Sequence, residues 1–230
     1  MKIALLSDIH ANEIALGAVL AEARAGGVER LLCCGDFVGY YHAPTAMWDL
    51  LAAWDWDGIR GNHEDMLAQW IGGEDRDAIH LRYGSGIAIA AEMPKAPRTS
   101  LLALPARREL EVEGRRVLLC HGSAWDPYHY VYPTADDDER QRMASEGQDL
   151  VVFGHSHYPV LWRIGGTTIV NPGSVGQPRD RKPGACWATW DTGSMDVTLR
   201  RTEFDVATVA ERARRIDPHL PYLSDVLTRR

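Results

Sequence analysis

Short unbroken apolar runs along the chain end abruptly at small or polar residues. Ile3 to Leu6 stops at Ser7-Asp8-Ile9-His10, Leu31 to Cys34 at Gly35-Asp36, Val117 to Cys120 at His121-Gly122, and Leu150 to Phe153 at Gly154-His155-Ser156-His157. Continuous runs of this length, lacking alternation, are what strands buried on both faces look like. Between the first two, Ile14, Leu16, Val19, Leu20 and Ala23 recur at helical spacing within Asn12 to Ala25, and Gly26-Gly27 ends the helix. Strand, helix and strand in that order imply a parallel pair joined by a right-handed crossover.

Further on, Ala46 to Trp54 reads as a second helix, and a short run Gly58-Ile59-Arg60 stops at Gly61-Asn62-His63-Glu64. The segment from about 65 to 104 is mainly helical, broken at Gly72-Gly73, Pro94 and Pro97. It carries no polar constellation of its own and reads as a flank over the site. Strands are then predicted at Glu109 to Val112 and Arg116 to Cys120, at Val160 to Ile164 and Thr167 to Val170 around Gly165-Gly166, and at Ala185 to Trp190 and Met195 to Arg200. Alternation in the last two fits a sheet half exposed to water, and the helix Val206 to Ile216 closes the chain. Two sheets with outer helices accommodate this order, in a single domain over 1–230.

With 45% hydrophobic and 25% charged residues among 230, the chain has an ordinary globular balance, which excludes a disordered or collagen-like protein. The net charge of −7 does not suggest a nucleic-acid partner bound by broad counterion release. The first apolar run is too short for a secretion signal, and no stretch reaches a membrane span. A soluble, cytoplasmic protein without a membrane partner is expected. Cys33, Cys34, Cys120 and Cys186 lack metal-ligand spacing and read as buried free thiols. The acidic run Asp136-Asp137-Asp138-Glu139 reads as a solvated helix start, and Trp54, Trp56, Trp187 and Trp190 as core or interface. The sequence leaves open whether the chain forms a homo-oligomer.

Nine histidines give the first hint of chemistry. Asp8, His10, Asp36, Asn62, His63, His121, His155 and His157 all follow predicted strands. Residues beyond the carboxyl ends of parallel strands converge on one crevice, so a list scattered in sequence becomes one cluster in space. Asp8 and His10 are two apart, as are His155 and His157, so each pair is expected to serve one locality. Imidazole and carboxylate ligands in these proportions suit manganese, iron, zinc, nickel or cobalt rather than calcium or magnesium. The number of candidates exceeds what one ion needs; two ions bridged by a carboxylate would use them, an arrangement suited to in-line phosphoryl displacement.

The series Asp8-x-His10, Gly35-Asp36-x-x-Gly39, Gly61-Asn62-His63-Glu64, His121-Gly122 and Gly154-His155-x-His157 resembles the calcineurin-like metallophosphoesterases, in particular their small bacterial and archaeal phosphodiesterase group. The resemblance implies a four-layer α/β/β/α sandwich, α/β in class, with two mixed sheets flanked by helices. It implies one metal held by Asp8, His10, Asp36 and His157, and a second held by Asp36, Asn62, His121 and His155. A metal-bridging hydroxide would attack phosphorus in line, with His63 facing the substrate as general acid and Asn62 beside it. The implied substrates are phosphodiesters or small nucleotides, including dinucleoside polyphosphates, with manganese a suitable metal. Phosphomonoesters or phosphoproteins are the alternative. A catalytically silent protein-interaction scaffold is a further one, against which the full set of ligands and His63 counts.

Aromatics follow two of the motifs: Tyr40, Tyr41 and His42 after Asp36, and Trp125, Tyr128, His129, Tyr130 and Tyr132 after His121. Tyr40 and His42 are taken as substrate-binding candidates, with loop packing as the competing role for the whole aromatic set. The turn-rich segment Asn171 to Asp180 also resembles a family loop. Its Arg179 can contact a phosphate oxygen bidentately or pair with Asp180.

Overall fold

The apolar runs become the inner strands of two sheets. The structure, a computed structural model, describes residues 1–144 and 147–229. One sheet comprises β1 (Lys2–Leu6), β2 (Arg30–Cys34), β3 (Trp56–Ile59), β9 (Ala185–Asp191) and β10 (Val197–Thr202), in the order β10-β9-β1-β2-β3. The other comprises β4 (Arg107–Val112), β5 (Arg115–Cys120), β6 (Leu150–Val152), β7 (Val160–Ile164) and β8 (Thr167–Asn171), in the order β4-β5-β6-β8-β7. Strands β1, β2 and β3 run parallel, as do β5, β6 and β8, while β9, β10, β4 and β7 pair antiparallel. Both sheets are therefore mixed, as expected, with helices outside.

The inner faces share one cluster that includes Ile3, Leu5, Leu32 and Trp190 from the first sheet and Val117, Leu119, Leu150 and Val152 from the second. Outside the first sheet lie α1 (Glu13–Ala25) and α2 (Pro44–Ala52); outside the second lies α7 (Asp137–Met143), which contributes the buried Met143. Asn12 caps α1 by accepting the Ala15 N–H at 3.1 Å, the short polar side chain satisfying a donor that the first turn cannot. Asp136 caps α7 in the same way through the Glu139 N–H, so the acidic run is a helix start as read. The four cysteines are buried and free, also as read.

The flank resolves into α3 (Asn62–Gly72), α4 (Arg76–Tyr83), α5 (Gly86–Ala91) and α6 (Lys95–Leu102). Pro97 does not break it: it lies in the first turn of α6, where the missing N–H would have had no partner. The break falls instead at Gly84, whose φ is 77°. Two further expectations are corrected. Strand β9 is buried along nearly its whole length, because β1 and β10 flank it and both its faces are covered; partial exposure is confined to β10. The chain also does not close with α8 (Val206–Ile216), since α9 (Tyr222–Thr228) follows and packs Leu223 against Tyr41 and Val209. Trp187 and Trp190 are buried core residues, and Trp54 and Trp56 are partly buried against the first sheet's outer cluster. Among the described residues no helix is long and apolar enough to cross a membrane.

Candidate metal centre

Because β1, β2, β3, β5 and β6 all point their carboxyl ends to the same edge of the two sheets, the polar residues after them meet there. Asp8, His10, Asp36 and His157 bring donor atoms within 4.8 Å of one another, and Asp36, His121 and His155 do the same. Asp36 belongs to both groups. Asn62 joins the second, its Oδ1 lying 3.0 Å from His121 Nε2. All seven residues named from sequence as ligands are therefore gathered, and His63 stands beside them with Nε2 3.9 Å from Asp36 Oδ2.

The spacing argument for the two pairs holds for one of them. His10 Nε2 lies 4.0 Å from Asp8 Oδ1, but His155 and His157 divide between the two groups. The reason is that the chain leaves the strands in left-handed turns rather than extended: φ is 53° at Asp8, 51° at His10, 54° at Asp36, 66° at His155 and 63° at His157. Non-glycine residues in this region carry a conformational cost, and its concentration at one edge marks a built site.

The ring orientations are fixed from behind. Nδ1 of His10 donates to Val38 O at 3.1 Å, Nδ1 of His157 to Gln177 O at 2.7 Å, and Nδ1 of His121 to Cys34 O at 2.7 Å. A carbonyl only accepts, so in each ring the proton sits on Nδ1 and Nε2 faces the basin. Burial holds the His10 and His157 imidazoles well below their ordinary range, hence neutral. Their Nε2 lone pairs nevertheless face each other at 3.1 Å, with the carboxylates of Asp8 and Asp36 alongside. Two lone pairs cannot bond each other; a cation between them resolves the conflict. At His121, Nε2 meets only oxygens, Asp36 Oδ2 at 3.3 Å and Asn62 Oδ1 at 3.0 Å. Burial acts against a charge there, but Asp36 outweighs it and lifts the imidazole to about 10. A proton thus stands where a metal ion would. The donor set fits two divalent transition metal ions bridged by Asp36.

Glu64 has a role that its motif does not reveal. Buried at the third position of α3, its carboxylate accepts the N–H groups of Asp36 (3.0 Å), Phe37 (2.9 Å), Val38 (3.1 Å) and Gly61 (2.8 Å), and so shapes the loop that presents Asp36. The signal for it is the capping spacing, an acid three residues after Gly61. The Asn171 loop is tied in by Ser174 Oγ, which donates to Asp8 O at 2.7 Å, and by Asn171 Nδ2, which donates to Gly154 O at 2.7 Å.

Of the substrate-binding candidates, Tyr40 and Arg179 line the basin. The Tyr40 ring lies 4.6 Å from that of His10 and 4.7 Å from that of His63, and Arg179 donates to Tyr40 Oη at 3.1 Å and Gln177 Oε1 at 3.0 Å. Arg179 has no carboxylate partner among the described residues, and Asp180 pairs with Arg201 instead. The Arg179 guanidinium carbon lies 5.9 Å from the centroid of the Tyr40 ring, which itself packs on His10 and His63. His42 is not there: it is buried, its Nε2 2.8 Å from Asp217 Oδ2 on the far side of the Tyr40 turn. Tyr41 is core, donating to Leu223 O. On the opposite wall Tyr130 stacks on His155 with centroids 3.8 Å apart, and Tyr128, Tyr130 and Tyr132 are exposed.

Comparison with known proteins agrees with this geometry. The chain is 30% identical over 229 residues to an uncharacterised protein of Methanocaldococcus jannaschii, covering 91% of this chain and 90% of that one. It is 24% identical over 220 residues to phosphodiesterase YfcE of Escherichia coli, covering 91% and 98%. The crystal structure of a metallophosphoesterase from Sphaerobacter thermophilus superposes with a TM-score of 0.82 at 26% identity, covering 100% of this chain and 99% of that one. Residues 1–194 match the calcineurin-like phosphoesterase superfamily domain, and the chain belongs to that superfamily.

Proposed function

We propose that the protein is a dimetal phosphodiesterase acting on small phosphodiesters or nucleotides. The observation that carries this reading is the facing pair of neutral imidazoles, His10 and His157, beside two buried carboxylates. One ion would be held by Asp8, His10, Asp36 and His157, and the other by Asp36, Asn62, His121 and His155. When bound, such a pair supplies Lewis-acid activation of water near neutral pH and neutralises charge on a phosphoryl group.

The remaining chemistry belongs to the chain. His63 is buried against Gly39, and its Nδ1 has no hydrogen-bond partner among the described residues. Its other nitrogen, Nε2, lies 3.9 Å from Asp36 Oδ2 on the basin side and would hold the proton for the leaving oxygen. Burial lowers its pKa to about 4, against the pull of Asp36; a bound phosphate anion adds to that pull and favours the imidazolium. Arg179, with Tyr40 behind it, meets a non-bridging phosphate oxygen through its uncommitted charge. The exposed Tyr128, Tyr130 and Tyr132 leave room for a second ester substituent, which supports a diester over a monoester. Dinucleoside polyphosphates fit the same description.

The test is a panel of bis-p-nitrophenyl phosphate, p-nitrophenyl phosphate, cyclic nucleotides and diadenosine polyphosphates with manganese present. The expected outcome is hydrolysis with a higher kcat/KM for diesters. A preference for p-nitrophenyl phosphate would replace the reading with a phosphomonoesterase. No turnover by protein shown by elemental analysis to carry metal would reject it.

A further inference from the structure

The flank reads from sequence as free of polar groupings, yet α4 brings one to the surface. We propose that His80, Asp217 and His219 form an additional metal site, separate from the centre at the sheet edge, that takes a first-row divalent transition ion such as zinc or nickel. His80 lies on α4, Asp217 ends α8, and His219 lies in the turn before α9. One donor atom from each falls within 4.8 Å of the others, and the two imidazole rings lie 4.9 Å apart at a tilt of 34°.

Ordinary pairing does not account for this convergence. The imidazole in ion-pair range of Asp217 is that of His42, and neither the His80 nor the His219 imidazole hydrogen-bonds to any described residue. The carboxylate is nonetheless held rigidly. Asp217 accepts from Ser85 Oγ at 2.6 Å, from Ser85 N at 3.0 Å and from His42 Nε2 at 2.8 Å. The Ser85 N–H is shared between both carboxylate oxygens at 3.0 Å, so an ion bound at one of them leaves that N–H its bond to the other, and hydrogen-bonded carboxylates are what metal sites employ as oriented ligands. One nitrogen of each of the two imidazoles falls within 4.8 Å of an Asp217 oxygen. Separations just beyond hydrogen-bond reach suit an ion with bonds of about 2.0–2.2 Å to each donor, once the exposed His219 rotates inward. Two nitrogens and one oxygen select transition ions over calcium or magnesium, and three protein ligands leave a position for water.

An ion here would cross-link α4 to the α8–α9 turn. The last residue of α4, Tyr83, has its ring 5.3 Å from that of His63 and 5.9 Å from that of Tyr40, so the cross-link braces the wall that faces the basin.

The experiment uses the full chain without an affinity tag, equilibrated with micromolar zinc, desalted and analysed for metal. Wild type is expected to retain one zinc per chain more than the His80→Ala/His219→Ala variant, and its melting temperature is expected to rise with zinc by an increment the variant lacks. His219→Ala alone, at an exposed position, is expected to weaken that zinc at least about tenfold with the fold intact. An Asp36→Asn variant keeps the His80- and His219-dependent ion, which separates this proposal from the reading of the main centre. Equal zinc content in wild type and double variant overturns the proposal, as does a zinc-induced melting shift that the double variant retains.

Discussion

His63 owes its position to a residue that does no chemistry. At Gly39 φ is 87°, and a Cβ there would lie 2.0 Å from His63 Nδ1. Gly39→Ala is therefore expected to displace the ring, lowering kcat by about 10²-fold or more with metal content unchanged. His63→Ala should retain metal and lose about 10²–10⁴-fold in kcat. Both are checked by steady-state kinetics alongside elemental analysis, and wild-type rates in either would remove His63 from the mechanism. The side chains gathered at the sheet edge were legible in the sequence because each directly follows a buried run, where an unpaired acid or imidazole would be costly without a purpose. Glu64 was not, because a carboxylate that accepts four backbone N–H groups contributes through the loop it shapes and resembles any helix-capping acid. His42 turns to Asp217 rather than to the basin for the converse reason: proximity to Asp36 in sequence says nothing about which side of a left-handed turn a ring takes.

The strands and α1 followed from unbroken apolar runs and clear stop residues. The C-terminal elements did not. Helix α9 is only seven residues long, so although Leu223, Val226 and Leu227 stand at helical spacing they span little more than one turn, too short a run to read as a helix from sequence. What locks this region is Asp217, which joins His42 after β2, Ser85 before α5 and the end of α8. Burial pushes its carboxyl up, but the hydrogen bonds from His42 and Ser85 outweigh burial and bring it to about 2. A depressed carboxyl stabilises the fold above its ordinary value of 3.8, and that stability is lost as pH falls through about 2. Asp217→Ala leaves three buried donors unpaired, and urea unfolding at pH 7 should show a loss of about 2–4 kcal/mol. The variant should also lose less stability than wild type between pH 4 and pH 2. A change under about 0.5 kcal/mol would show that the Asp217 contacts do not hold the C-terminal helices.

Across the whole molecule, the two-sheet plan was legible because each βα unit announced itself, while the pairing of β9 against β1 could not be read from a strand so late in the chain. That pairing matters, since it sets β1 in mid-sheet and Asp8 at the centre of the edge. The inner cluster and the metal-binding edge both draw on the two sheets, and we propose that the chain folds as one unit. Circular dichroism and tryptophan fluorescence should then report one coincident thermal transition, whereas two separated transitions would mean that the sheets fold independently. Asp36 stands in both groups of donors, and on the proposed reading it joins two ions into one centre. Electron paramagnetic resonance of the manganese-loaded protein tests it most directly. An exchange-coupled dimanganese signal that Asp36→Asn abolishes is expected; a spectrum of isolated manganese alone, unchanged by that substitution, would show that Asp36 joins no pair of ions.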